Sequence, residues 1–177
     1  VPVGIFTSIF LVEYSTATPT MRKLANLLRF FVDVMTGIPS IVAGLFAYTL
    51  FAIILGPGTK SGLAGAIALA VLMIPVVVRS TEEMLRLVPN ELREASYALG
   101  VPKWKTIVKV VLPTSIAGIV TGVILAIARV IGETAPLLVT AGIYTGLNTN
   151  ALVGQMATLP VFSYYQYVTP GTPPEPY

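Results

Sequence analysis

Charged residues cut the chain into long uncharged runs. Residues 1–12 (VPVGIFTSIFLV), 34–59, 61–78 and 110–128 contain no Asp, Glu, Lys or Arg. A helix crossing the hydrocarbon core needs roughly 17–25 predominantly apolar residues. The last three runs reach that length, the second through its stretch from Val34 to Leu55. The first is short and reads as the end of a spanning helix, which makes about four spans visible. Gly37, Pro39, Gly44, Pro75, Gly118 and Gly122 lie in or beside these runs. In a membrane they do not argue against helices, because small residues allow close helix packing and a kinked rod is re-satisfied by its neighbours. The pattern predicts an all-α polytopic membrane bundle, one transmembrane domain over residues 1–177.

Composition supports a lipid solvent. Of 177 residues, 55% are hydrophobic and 11% charged, against about 25% charged in an ordinary soluble domain. With no Cys and no His, disulfides, thiolate metal sites and the commonest general base are all excluded. A membrane enzyme using a paired-aspartate site is excluded too, because Asp33 is the single Asp. The eleven Lys and Arg residues are too scattered for a nucleic-acid stripe.

The cations orient the chain. Arg22, Lys23 and Arg29 follow the first run. Arg79, Arg86, Arg93, Lys103, Lys105 and Lys109 separate the third run from the fourth. Lys60 alone lies between the second and third, and no Lys or Arg follows Arg129. Alternating spans place residues 14–33 and 79–113 on one side, which the positive-inside rule makes cytoplasmic. Residues 142–177 then form an external region, with Tyr164, Tyr165 and Tyr167 suited to the headgroup level. Its Pro-rich last eight residues read equally well as a loose tail. The start on Val and the short first run read as a fragment of a longer gene product.

Residues 79–113 carry local structure of their own. Ser80 with Glu83 matches a capping box for a short helix beginning where the third span ends. Pro89 breaks that helix, Asn90 is placed to cap the segment 91–99, and Gly100 supplies a left-handed C-terminal residue. Pro102 fits the first turn of a second helix. In it Trp104, Ile107, Val108 and Val111 recur at i, i+3, i+4 and i+7 as one apolar face, with Lys103, Lys105 and Lys109 off that face.

Arg129 and Glu133 interrupt an apolar helix expected to run from about Thr114 past Ala141. Arg129 would lie ~22 Å into the span, where a charge costs at least ~2.5–3.5 kcal/mol. A spacing of four puts both on one helix face, where they neutralise each other. Pro136 weakens the helix beside the pair.

These segments resemble a known family. Glu94-Ala95-Ser96, three residues, Gly100, nine residues and then Val110-Val111-Leu112-Pro113 is similar to the EAA loop of ABC importer permeases. Ser96 replaces the second Ala and Val110 the Ile of that pattern. The string from Ala128 to Leu138 (ARVIGETAPLL) resembles the A-R-A-I-G-E-T-A-P-L-L segment of phosphate importer permeases, more narrowly the A-type of their two paired permeases. Thr36 to Leu45 (TGIPSIVAGL) is similar to another run of the same proteins. Together the likeness covers nearly all of residues 1–168.

The resemblance implies a bacterial inner-membrane permease subunit that moves inorganic phosphate. The nearest alternatives are sulfate, molybdate or another small solute. It implies a second permease, two ATPase subunits and an external phosphate-binding protein as partners, within a lipid bilayer. ATP and Mg belong to the ATPase, so this chain would hold no cofactor or metal and would not itself be an enzyme. Glu94, Ala95, Ser96, Leu99, Gly100, Leu112 and Pro113 would couple to the ATPase. Arg129, Glu133 and Thr134 would line the substrate path, or the charged pair would bridge the two permeases. Gly56-Pro57-Gly58-Thr59-Lys60-Ser61-Gly62 imitates a nucleotide loop, but it lacks the Gly before Lys and the strand–helix setting such a loop needs, and it reads as a turn.

Overall fold

The computed structural model describes residues 1–56, 58–144, 146, 148, 150 and 154–169. It is helical throughout, with no strand beyond an isolated Ser61–Gly154 bridge among the described residues. Helix α1 (Pro2–Ile9) widens into a π turn over Phe10–Tyr14, and α2 (Pro19–Gly37) and α3 (Ser40–Leu55) follow. Next come α4 (Gly62–Arg86), α5 (Asn90–Ala98) and α6 (Lys103–Thr106), the last running through a π turn (Ile107–Val111) into α7 (Leu112–Ile131). The short α8 (Ala135–Thr140) and α9 (Leu159–Val168) complete the series.

Among the described residues two helices are long and apolar enough to cross a membrane, Gly62–Arg86 and the continuous stretch Lys103–Ile131. At ~1.5 Å per residue each exceeds the ~30 Å hydrocarbon core. The expected span from Val34 to Leu55 is not one helix. Its first residues close α2, the chain breaks at Ile38-Pro39, and α3 alone is 16 residues long. Pro39 forces the break, since its ring denies the preceding residue the helical region. Among the described residues two helices reach span length, or three spans if the broken pair counts as one, beside the shorter apolar Pro2–Tyr14 that the sequence reads as the end of a span.

The expected capping box at Ser80 and Glu83 is absent, because α4 runs on through both residues to Arg86. The Ser80 hydroxyl instead donates to Val77 O, 3.3 Å away. A helix already in progress has no free N–H groups for a cap to satisfy.

The chain forms two compact units, with boundaries inside α4 and α7. The first comprises Val1–Thr36 and Met73–Ile127. One apolar cluster there joins Leu11, Ala25, Val32 and Val78, and a second joins Leu85, Val88, Val111 and Ile119 with Ile5, Ile9 and Val12. Close approach uses glycine: a Cβ on Gly122 would lie 2.6 Å from Ser80 Oγ, too near for any larger residue. Polar groups tie the same elements together. Ser8 Oγ donates to Val78 O at 2.9 Å, and the buried Glu82 accepts from Arg29 at 3.3 Å and Arg86 at 2.6 Å. Arg79 pairs with Asp33.

The second unit comprises Gly37–Leu72 and Ala128–Tyr177. Leu137, Ala141, Ile143 and Val161 form its core with Leu69, Leu138 and Tyr165. Helix α3 lies so close to α8 that a Cβ on Gly44 would come within 2.6 Å of Pro136 Cα. The tyrosine cluster falls on α9; Tyr165 packs on the core and Tyr164 meets it edge-on at 6.1 Å. The Pro-rich end after residue 169 lies outside the described residues.

What the helices leave outside is as informative as what they bury. Helix α7 buries Ser115, Ile119, Gly122 and Ala126, while its exposed residues include Ile116, Val120, Ile124 and Leu125. The buried stripe is smaller and no more apolar than the exposed one. Water would reverse that arrangement; lipid or a neighbouring apolar helix accommodates it.

Candidate functional site: the loop knob and the charged break

The knob is built from α5, Gly100 and α6. Pro89, not Asn90, is the N-cap residue, and α5 starts one residue early at Asn90. Asn90 Oδ1 is turned back onto Arg93 Nη1, 3.3 Å away, and so does not cap the helix. The C-terminus is as the sequence predicts. Gly100 has φ of +73°, its N–H donates to Tyr97 O at 2.9 Å, and Val101 N–H donates to Ser96 O at 3.2 Å. This pair of bonds is a Schellman motif, which satisfies the last carbonyls of α5. Pro102 is the N-cap of α6, directly before its first turn.

Ser96 explains one departure from the family pattern. Its hydroxyl is buried and lies 2.8 Å from Thr106 Oγ1, fastening α5 to α6 across the glycine turn. Around this staple, Leu92, Ala95, Leu99, Val101 and Val110 line an open apolar groove of about 360 Å³ bordered by Lys105 and Lys109. Leu99 at its rim is 83% exposed. Glu94 and Ala95 also face outward, whereas Ser96 is buried. Leu112 packs against the Leu85–Val88–Val111 cluster and Pro113 is the second residue of α7, and neither lines the groove.

The expected single face of Trp104, Ile107, Val108 and Val111 splits in two. Ile107 and Val111 are buried, while Trp104 and Val108 are exposed. The π turn over Ile107–Val111 is the reason: its wider spacing rotates the register within this short segment.

The charged pair also differs from expectation. Helix α7 stops at Ile131 and α8 starts at Ala135, so the long helix through Arg129 and Glu133 does not exist. Pro136 enforces the stop, having no N–H for Gly132 O and a ring that would clash with that carbonyl. Glu133 therefore sits in the connector, largely buried, and Arg129 lies in the last turn of α7, 58% exposed. Arg129 Nε and Glu133 Oε1 are 4.0 Å apart, a loose contact. Among the described residues Arg129 has no closer polar partner. Thr134 precedes α8, and its carbonyl accepts from Leu138 N–H at 3.0 Å.

The nucleotide-loop imitation resolves into a turn after a helix. Gly56 ends α3 with φ of +100° and Gly58 has φ of +85°, with Pro57 outside the described residues.

Sequence reasoning missed one constellation. Glu13, in the π turn after α1, is buried, accepts from Arg93 Nε at 3.0 Å and forms an ion pair with Nη2, also 3.0 Å away. The only available signal was Glu13 itself, an acid directly ending an uncharged run. Removing one member of so buried a pair costs about 3–5 kcal/mol.

An all-α bundle with spanning-length helices, apolar exterior faces and a projecting helix–turn–helix knob defines a membrane permease fold. The particular family follows from its sequence: the chain belongs to the binding-protein-dependent transport system inner membrane components, matching them over residues 2–168. Over 170 residues it is 52% identical to the phosphate transport system permease protein PstA 1 of Mycobacterium tuberculosis, covering 96% of this chain and 54% of that protein. It is 51% identical to PstA of Yersinia pestis (79% of this chain, 45% of that one). With PstA of Haemophilus influenzae the identity is 43% (97% and 58%). The chain thus spans about half the length of the curated relatives it matches.

Proposed function

We propose that the protein carrying this chain is the permease subunit of an ATP-driven importer of inorganic phosphate in a bacterial inner membrane. One coincidence carries the reading: a chain half-identical to phosphate permeases also presents the α5–Gly100–α6 knob with its outward apolar groove. The groove fits an ATPase subunit, whose ATP and Mg stay on that partner, and this orients the knob toward the cytoplasm. A second permease, two ATPase subunits and an external phosphate-binding protein complete the assembly.

Arg129 and Glu133 fit a place on the substrate path. A guanidinium in loose contact with one carboxylate keeps N–H groups for a phosphate, which it matches two at a time. Thr134, beside the helix break, adds a hydroxyl. The path would then hold balanced charge whether phosphate or Glu133 faces Arg129.

The test is growth. Cells stripped of their own phosphate importer receive the protein together with its partner subunits. Recovery on limiting phosphate supports the reading. Recovery on limiting sulfate or molybdate instead, with none on phosphate, overturns it.

A further inference from the structure

We infer that Arg93 and Glu13 form a clasp that makes α1 move with the coupling knob; this rests on the permease reading above. Arg93 spends all its donors on the junction. Nε and Nη2 reach Glu13 Oε1, Nη2 also reaches Leu85 O at 2.9 Å, and Nη1 reaches Val88 O at 2.6 Å and Asn90 Oδ1 at 3.3 Å. The Leu85 carbonyl is open because the residue four positions on is Pro89, which has no N–H to offer. The same guanidinium therefore closes the end of α4, roots α5 and grips the end of α1.

A second cation holds the other half of the knob to the same point. Lys103, the first residue of α6, donates its Nζ to Glu13 O and lies over the Tyr14 ring, 5.1 Å from its centroid. Arg93 precedes Gly100 and Lys103 follows it, and the Ser96–Thr106 bond fastens the two halves together. The knob is thus one body with two charged attachments to the π turn after α1.

Packing supplies this link only at the two roots of the knob, where Val88 and Val111 share a cluster with Ile5, Ile9 and Val12. Neither apolar cluster of the unit contains a residue of α5 or α6, whereas α1 contributes Ile5 and Ile9 to the cluster around Leu85 and Val111. Within the knob itself, Arg93 and Lys103 add polar contacts to Glu13 at the end of α1. Buried charges are a poor source of net stability compared with apolar replacements, but they fix one arrangement. Arg93 and Glu13 are positioning residues, acting through the helices they join.

The experiment uses the assembled transporter, with the chain's lack of cysteine giving clean labelling. Spin labels on Cys substituted at the exposed Phe6 of α1 and at Glu91 of α5 report their separation without ATP and with ATP trapped. The wild-type clasp predicts one unchanged distance in both states. A change between states overturns the inference, and this reading needs neither substrate nor clasp variants. In parallel, Glu13→Gln is expected to assemble and keep its KM for external phosphate while uptake per ATP hydrolysed falls about tenfold. Arg93→Lys, which keeps the charge, should fall less. Uptake per ATP at the wild-type level in Glu13→Gln overturns the inference as well. If the unsubstituted transporter hydrolyses ATP but moves no phosphate, the substrate reading fails, and the label distance still decides the clasp.

Discussion

The hydroxyls of Ser96 and Thr106 lie 2.8 Å apart in a buried contact that spans the Gly100 turn. A net hydrogen bond of this kind is worth about 1 kcal/mol. Ser96→Ala and Thr106→Val should each lower the thermal stability of the purified complex by about that much. The double substitution should cost little more than either one, leaving a coupling energy of about 1 kcal/mol in a double-mutant cycle. Strict additivity would show that the two hydroxyls do not hold the knob together.

Gly100 holds the knob's turn with φ of +73° and open space around its Cα. The obstacle to a side chain there is backbone conformation and not crowding. Gly100→Val should therefore cost about 1–2 kcal/mol locally. Membrane insertion should be normal, with ATPase docking and stimulated hydrolysis reduced. Pull-down of the ATPase subunit and its hydrolysis rate check this, and wild-type values for both would mean the knob is an ordinary surface turn.

The proposed orientation rests on the sequence reading, in which alternating spans put nine of the eleven cations on one side. Cys introduced at Lys60 should react with an impermeant thiol reagent applied to intact cells. Cys at Lys105 should react only after permeabilisation. The opposite pattern would invert the chain and place the knob outside, beyond reach of any cytoplasmic ATPase.

Arg129 and Glu133 separate two roles by their variants. On the substrate path, Arg129→Lys keeps a charge but loses the planar two-pronged donor, and uptake should fall strongly. Arg129→Met with Glu133→Gln should assemble well, since no buried charge remains unpaired, yet fail to transport. If the pair only bridges subunits, that double variant keeps both assembly and uptake, and each single change harms assembly. Complex yield and phosphate uptake measured side by side decide between them.

Much of this fold is legible in the sequence because its strongest signals are local. The uncharged runs around Ile67 and Val120 are long enough to demand spanning helices, and Gly100 can be read from backbone sterics alone. The breaks are harder. Pro75 leaves α4 continuous, whereas Pro39 and Pro136 end a helix; the difference is one of tertiary setting, not residue type. The π turn that splits Trp104 from Ile107 leaves no mark in hydrophobic periodicity. The Arg93–Glu13 contact joins residues 80 positions apart, a pairing no sequence window contains. In sequence Ser96 is only a replacement for alanine, and its bond to Thr106 requires the folded turn.

The central proposal is that the protein carrying this chain links external phosphate to ATP hydrolysed by a partner. Its most direct test is the accumulation of radiolabelled phosphate in proteoliposomes that contain the assembled transporter, with phosphate-binding protein outside and ATP trapped within. The expected result is uptake that stops when ATP or the binding protein is withheld and that excess sulfate or molybdate does not compete away. An assembled complex that hydrolyses ATP without accumulating phosphate, or whose uptake sulfate or molybdate abolishes, would contradict it.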